Sequence, residues 1–227
     1  LLDYLRAETR SSLNPAHNAQ ARAAQVIMLQ RVQSRLWDDF DWGHLRVERQ
    51  VAAQAGQRFY APPEDIAIDR IEKIEFFSDG AWRKMLPGIE AEQYAAFNSE
   101  LDQRSWPMRR WKIHEDESIE IWPLLDRDAD PETREGYLKF TGIRNLRPLV
   151  DDADRADLDD QMIVLFAAAE MLAASGGKDA KLKLDQANSR YRLLRGRMSP
   201  KRTFAMFGLG EVHEPRRPII SQYRRAD

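Results

Sequence analysis

A single apolar segment limits what this sequence can fold into more than any other feature. From Met162 to Ala169 all eight residues are apolar, which is far short of the roughly 20 residues needed to cross a bilayer. Apolar residues also recur at steps of four and three, at Leu158, Met162, Leu165, Ala169 and Leu172. Because Ile163 and Phe166 add a second apolar side, we predict a helix, capped by Asp154 or a neighbouring aspartate, that is buried nearly all round. Other parts of the chain must therefore pack around it.

Helical periodicity at both ends of the chain supplies those packing partners. From Ala16 to Phe40 apolar side chains fall on one face, and Asn14-Pro15 fits the start of this helix. Gly176-Gly177 ends the buried helix, and a last helix from about Lys178 to Arg197 is predicted to pack antiparallel to it. The expected apolar face of the last helix comprises Leu184, Ala187, Tyr191 and Leu194.

The middle of the chain has the pattern of strands. Short runs rich in β-branched and aromatic residues are separated by turn signals such as Asp79-Gly80. Leu45–Val51 and Gly56–Tyr60 are predicted to form a hairpin, and Ile89–Leu101 a helix. Further strands are expected at Ile66–Phe76, Trp82–Leu86, Arg109–His114, Ile119–Trp122 and Gly136–Ile143.

These patterns together predict an α+β fold with three parts. The N- and C-terminal helices, residues 1–43 and 150–197, form a helical bundle, and residues 44–149 form a β-rich insertion in it. Residues 198–227 are expected to be an extended C-terminal arm, because three prolines and two glycines interrupt any regular element there.

The sequence contains no motif that predicts catalysis. Cysteine is absent, which excludes disulfides, thiolate nucleophiles and cysteine-ligated zinc. The four histidines, His17, His44, His114 and His213, are too far apart for a metal-binding spacing. Gly208-Leu209-Gly210 does not lie between a strand and a helix, so it does not indicate a dinucleotide site. We therefore expect no enzyme, no cofactor and no metal; a small hydrolase with an unrecognised carboxylate pair is the least favoured alternative.

The charges of the chain are unevenly placed, although its net charge is only -2. Residues 150–160 hold six aspartates against one arginine, whereas residues 178–202 hold nine Lys and Arg against two aspartates. Within the last helix, a basic face repeats every seven residues at Lys183, Arg190 and Arg197. This face is either a solvated surface, a contact with a neighbouring protein, or a nucleic-acid-binding surface. Because aromatic residues are sparse in this helix, we favour a protein contact over a nucleic-acid-binding module.

Several short motifs occur in a definite order through the middle of the chain. They are Tyr60-Ala61-Pro62-Pro63-Glu64-Asp65-Ile66, Asp79-Gly80, Pro107-Met108-Arg109-Arg110-Trp111-Lys112-Ile113, Ile119-Glu120-Ile121-Trp122-Pro123, Gly136-Tyr137-Leu138-Lys139-Phe140 and Leu149-Val150-Asp151-Asp152. Over residues 16–197 this order resembles the head-to-tail adaptor, or connector, proteins of tailed bacteriophages, the group that includes tail tubular protein A.

The resemblance implies a structural virion protein at the head-tail interface, assembled in the cytoplasm of a bacterial host. Such adaptors form an oligomeric ring, typically dodecameric, that joins the portal to the tail nozzle or tail tube. The implied partners are further copies of the chain, the portal protein and the nozzle or tube protein. DNA passes through the channel without sequence-specific binding, and no membrane is involved. The family contributes no catalytic residues.

The C-terminal arm is expected to hold a neighbouring protein, with the portal preferred over the arm's own subunit. Its net charge is +3, and its apolar content is high for a linker. The predicted partner-binding residues are Phe204, Phe207, Ile219, Ile220 and Tyr223, together with the basic face of Lys183, Arg190 and Arg197.

Overall fold

The computed structural model describes residues 1–13, 19–150 and 154–198. Within these ranges it contains five α-helices and eight strands in two sheets, which confirms the predicted α+β class. The helices are α1 Leu2–Glu8, α2 Ala19–Asp39, α3 Ala91–Ala96, α4 Asp160–Ala174 and α5 Ala180–Met198. The strands are β1 Arg46–Ala52, β2 Phe59–Tyr60, β3 Ile66–Ser78, β4 Ala81–Lys84, β5 Leu86–Pro87, β6 Arg110–Ile113, β7 Ile119–Trp122 and β8 Tyr137–Arg144. No helix in these ranges is long and apolar enough to span a membrane.

Helix α4 lies at the centre of the helical part of the molecule. Every residue from Met162 to Ala169 is buried, as the all-round apolar pattern predicts. The helix begins at Asp160, and its N-cap is Asp159 rather than Asp154, because the Asp159 carboxylate accepts the Met162 N–H at 2.9 Å. Helices α1, α2 and α5 pack against it.

Helix α5 runs antiparallel to α4, as predicted. The connection is tight: the Gly177 N–H donates to the Leu172 carbonyl at 2.7 Å. Farther along, the ring of Phe166 in α4 meets that of Tyr191 in α5 at a centroid distance of 6.4 Å. The prediction of an apolar face on α5 is correct for Ala187, which is fully buried. Leu184, on the same predicted face, is 43% exposed.

The middle of the chain forms two four-stranded sheets around a second core. Their strand orders are β1-β8-β3-β4 and β2-β7-β6-β5, and the pairs are antiparallel except for β5 with β6. Side chains from both sheets share one buried cluster, among them Ile74, Phe76, Ile119, Ile121 and Phe140. The sheets therefore pack face to face as a small sandwich.

The predicted hairpin between Leu45–Val51 and Gly56–Tyr60 is wrong. Strand β1 pairs with β8 and strand β2 pairs with β7, so the two segments lie in different sheets. The physical reason is burial: β8 is a central strand with five buried residues, and β1 supplies its second neighbour. A local hairpin would have left one edge of that apolar strand unpaired.

The predicted helix from Ile89 to Leu101 is interrupted. Helix α3 ends at Ala96, and a separate turn of 3-10 helix follows at Ser99–Leu101. The side chain of Asn98 accepts the Glu100 N–H at 2.8 Å and so starts the second turn as a cap.

Candidate assembly surfaces

Two residues of the predicted basic face form ion pairs within the chain. The Lys183 ammonium donates to the Glu8 carboxylate of α1, and Arg190 donates to Asp159 at 2.6 and 3.1 Å. Arg197 is exposed and, among the described residues, forms no ion pair. The face therefore attaches α5 to α1 and to the start of α4, and its role in partner binding stays a prediction.

The Arg190–Asp159 pair stabilises the start of α4. Burial acts to raise the pKa of the Asp159 carboxyl, but hydrogen bonds from Arg190 and from the Met162 N–H outweigh it and hold that pKa below its usual value. The same contact raises the pKa of Arg190. Asp159 thus stays ionised, accepts hydrogen bonds from two elements and complements the positive end of the α4 dipole.

The five predicted arm residues, Phe204, Phe207, Ile219, Ile220 and Tyr223, lie outside the described residues, as does the proposed Asn14-Pro15 helix start. The expectations for both segments stay predictions.

A groove that the sequence did not indicate runs between α1, α4 and α5. It consists of two adjoining depressions of about 570 and 480 Å³ that share Glu8, Gln161 and Leu165. Leu165 is buried beneath the groove, whereas Tyr4 on α1 and Leu193 on α5 are 67% and 45% exposed along its sides. We call this surface the α1–α4–α5 groove. Tyr4 and Leu193 both fall outside the apolar faces predicted from periodicity, so the sequence pattern does not indicate that they lie on one surface.

The α1–α4–α5 groove carries excess negative charge. Its acids Glu8 and Asp159 are balanced by Lys183 and Arg190. Asp160 and Asp185 also line it, and neither forms an ion pair in the part of the chain that the structure describes. The groove therefore combines the apolar side chains of Tyr4, Val164, Leu165 and Leu193 with an acidic border.

The contact between the helices and the sandwich centres on Asp157, whose side chain is 1% exposed. Its carboxylate accepts hydrogen bonds from Arg144 at 2.6 Å and from Arg147 at 2.6 and 2.9 Å. Its backbone N–H donates to the Gln33 side chain of α2, and its carbonyl lies 2.8 Å from His44 Nε2. Burial acts to raise the pKa of the Asp157 carboxyl, but the two arginines outweigh it and lower the pKa.

Arg70 makes a second connection between the two parts. It lies where the pairing of β3 with β8 changes register, and it donates to the carbonyls of Trp37 and Asp38 at 2.7 and 2.8 Å. Its guanidinium carbon also lies 4.0 Å from the centre of the Trp37 ring. The last carbonyls of a helix have no hydrogen-bond partner within the helix. Arg70, which belongs to the sandwich, therefore supplies hydrogen-bond donors to the carbonyls at the end of α2. The two parts are therefore held in a fixed orientation.

The buried carboxylate of Glu120 has a structural explanation. Only 2% exposed, it accepts hydrogen bonds from Arg58 and Tyr94, both at 2.8 Å. Burial and the hydrogen bond to Glu120 raise the pKa of the Tyr94 hydroxyl. These contacts attach α3 and the segment before β2 to strand β7. Across the described ranges, no group of three or more His, Asp or Glu side chains is arranged to hold a metal ion.

Comparison with known proteins gives one informative result. A family model described as "SU10 adaptor protein" matches residues 2–207. The matched region includes all the helices and strands of the described structure. None of the curated proteins compared with the chain matches it.

Proposed function

The chain belongs to the SU10 adaptor protein family, and from that membership we propose that it forms the ring joining the portal of a tailed bacteriophage to its tail nozzle or tube. The family is one of structural phage adaptors, which implies a place in the virion. The observation that carries the proposal is the family match over residues 2–207, nearly the whole chain. By analogy with such adaptors the ring is dodecameric and leaves an axial channel through which DNA passes. No catalytic role is proposed.

The fixed orientation between helices and sandwich supports this role. A ring of defined diameter requires every subunit to present its contact surfaces at the same angle. The Asp157 network and the Arg70 contact hold the two parts of each subunit together through charge-assisted hydrogen bonds, which are stronger than neutral ones.

We also propose that residues 198–227 contact the portal. The segment combines a net charge of +3 with the apolar residues Phe204, Phe207, Ile219, Ile220 and Tyr223, a composition suited to an acidic groove with apolar pockets. At most about 3.3–3.6 Å per extended residue, such a segment is long enough to reach an adjoining ring.

Binding to the portal protein of the same phage tests the proposal. Mass photometry of the full-length chain mixed with portal is expected to give a complex heavier than the portal by several copies of the 26.4 kDa chain. A variant truncated after Arg197 should stay folded, as judged by circular dichroism, and should bind portal more weakly. Unchanged affinity of the truncated chain would refute the role of residues 198–227, and the absence of any complex would refute the adaptor role.

Duplex DNA is the control ligand, because a nucleic-acid-binding module is the alternative function. Since Lys183 and Arg190 are paired with carboxylates, we expect only weak binding, about 10⁻⁴–10⁻⁶ M at physiological salt. Tight, sequence-selective binding would favour the alternative.

A further inference from the structure

The helical part of the molecule has complementary surfaces on opposite sides. We infer that the outer face of α2 in one subunit docks into the α1–α4–α5 groove of the next subunit, a contact that rests on the proposed ring. The occupant of the groove is thus a second copy of this chain.

The outer face of α2 carries one apolar side chain among small residues at its centre, and basic side chains lie along one side of it. Ile27 is 64% exposed there, between the exposed small residues Ala23, Ala24 and Ser34. An exposed apolar side chain among small residues lets a second helix surface approach closely. The α2 face therefore presents one projecting apolar side chain that a depression on another surface could receive.

The charge of this face complements that of the groove. Arg31 donates to Glu170 at 2.5 Å, and Arg35 is ion-paired with the same carboxylate, so two cations share one anion. Both arginine side chains are more than half exposed. Beside Ile27 the α2 face thus carries one positive charge more than Glu170 balances, and the exposed Asp38 lies farther along the same face. Asp160 and Asp185 of the groove supply negative charges that form no ion pair within the described ranges. Opposite charges on facing surfaces favour this pairing and its orientation.

The two surfaces lie on opposite sides of α4. Helix α2 meets α4 at Glu170 and Phe166, the latter beneath the Arg35 guanidinium at 5.4 Å. Gln161 and Val164, which line the groove, are about half a turn away around the α4 axis at 3.6 residues per turn. The exposed face of α2 points away from α4 and hence away from the groove.

A subunit with different complementary surfaces on its two sides joins others head to tail. Such heterologous contacts close into a ring when the rotation between neighbours permits, whereas a two-fold contact of one surface with itself stops at a dimer. The arrangement of α2 and the groove is therefore the arrangement that a cyclic adaptor requires.

Crosslinking between introduced cysteines tests the contact, because the chain has none of its own. The variants are Ile27→Cys, Leu193→Cys, and the double variant with both, each bound to portal and treated with a short bis-maleimide. The matched control pairs Ile27→Cys with Leu184→Cys, since Leu184 is 43% exposed but faces the opposite side of α5 from Leu193.

The Ile27→Cys and Leu193→Cys double variant is expected to give a ladder of covalent multimers on a denaturing gel. Each single variant and the Leu184→Cys control should stay monomeric on that gel. A double variant that folds like the parent but no longer joins the complex also supports the contact, provided that the control variant joins.

Two results would overturn the contact while leaving the adaptor role intact. One is a complex of full mass, containing the double variant, that yields no ladder. The other is covalent dimers from Ile27→Cys alone, which indicate a two-fold contact of α2 with itself. If the unmodified chain forms no multimer on portal, the proposed function fails and this contact fails with it.

Discussion

At the scale of single residues, Asp157 joins segments that are distant in sequence. It contacts Gln33 of α2, His44, Arg144 at the end of β8, and Arg147. Asp157→Asn removes the charge but keeps the shape, and leaves two guanidinium groups without their anion. We expect the free energy of unfolding, measured by urea titration at neutral pH, to fall by about 1–3 kcal/mol. Glu100→Gln, at an exposed carboxylate, is the control and should change it by less than about 0.5 kcal/mol.

The pH dependence of this effect has a definite sign. The pKa of the Asp157 carboxyl is lower in the folded chain than in the unfolded chain. Its stabilisation is therefore fully present above the unfolded pKa of about 3.9 and is lost as the pH falls through the lower folded pKa. The difference in unfolding free energy between the parent and Asp157→Asn should shrink as the pH falls below about 4. A difference that is constant with pH would contradict the ion-pair explanation.

The roles of individual aspartates could not be predicted from the sequence. The acidic run at residues 150–160 is visible in the sequence, and the prediction that it lies at the start of a helix is correct. Which aspartate caps α4 and which binds arginines depends on Arg144, Arg190 and Gln33, which only folding brings near. Lys183 and Arg190 are a similar case: their shared face was predictable, but their carboxylate partners were not.

At the scale of elements, α4 is the helix against which α1, α2 and α5 pack. Ile163 is fully buried at its centre, whereas Leu172 near its end is only half-buried. Ile163→Ala should lower the free energy of unfolding by about 2–5 kcal/mol, because it leaves a cavity in the core. Leu172→Ala, in the same helix, should cost clearly less. Equal, small costs in thermal or urea unfolding would show that α4 is not the central helix.

Elements with strong local patterns were predictable, and those set by distant partners were not. Helices α4 and α5 and strand β7 lie within a few residues of their predicted positions because apolar periodicity or a β-branched run defines each one. Strands β1 and β2 have no such local signal for pairing, so the sequence suggested a hairpin where each strand instead joins a different sheet. The α1–α4–α5 groove was not predicted for the same reason, since it exists only where three helices meet in the folded chain.

At the scale of the whole molecule, the chain has one core among the helices and another in the sandwich. The helical core also includes Leu45 and Ile143, from within the predicted insertion at residues 44–149. The division into residues 1–43 with 150–197, 44–149 and 198–227 stays a prediction. The family predicted from the order of motifs is confirmed by the family model that matches residues 2–207.

A cryo-EM reconstruction of the chain bound to the portal of the same phage shows whether the chain forms the proposed ring. We expect a closed ring of copies seated on the portal, with an open centre and with the helices of neighbouring subunits in contact. Isolated copies scattered on the portal, or a reconstruction in which the chain is absent from it, would contradict the adaptor ring.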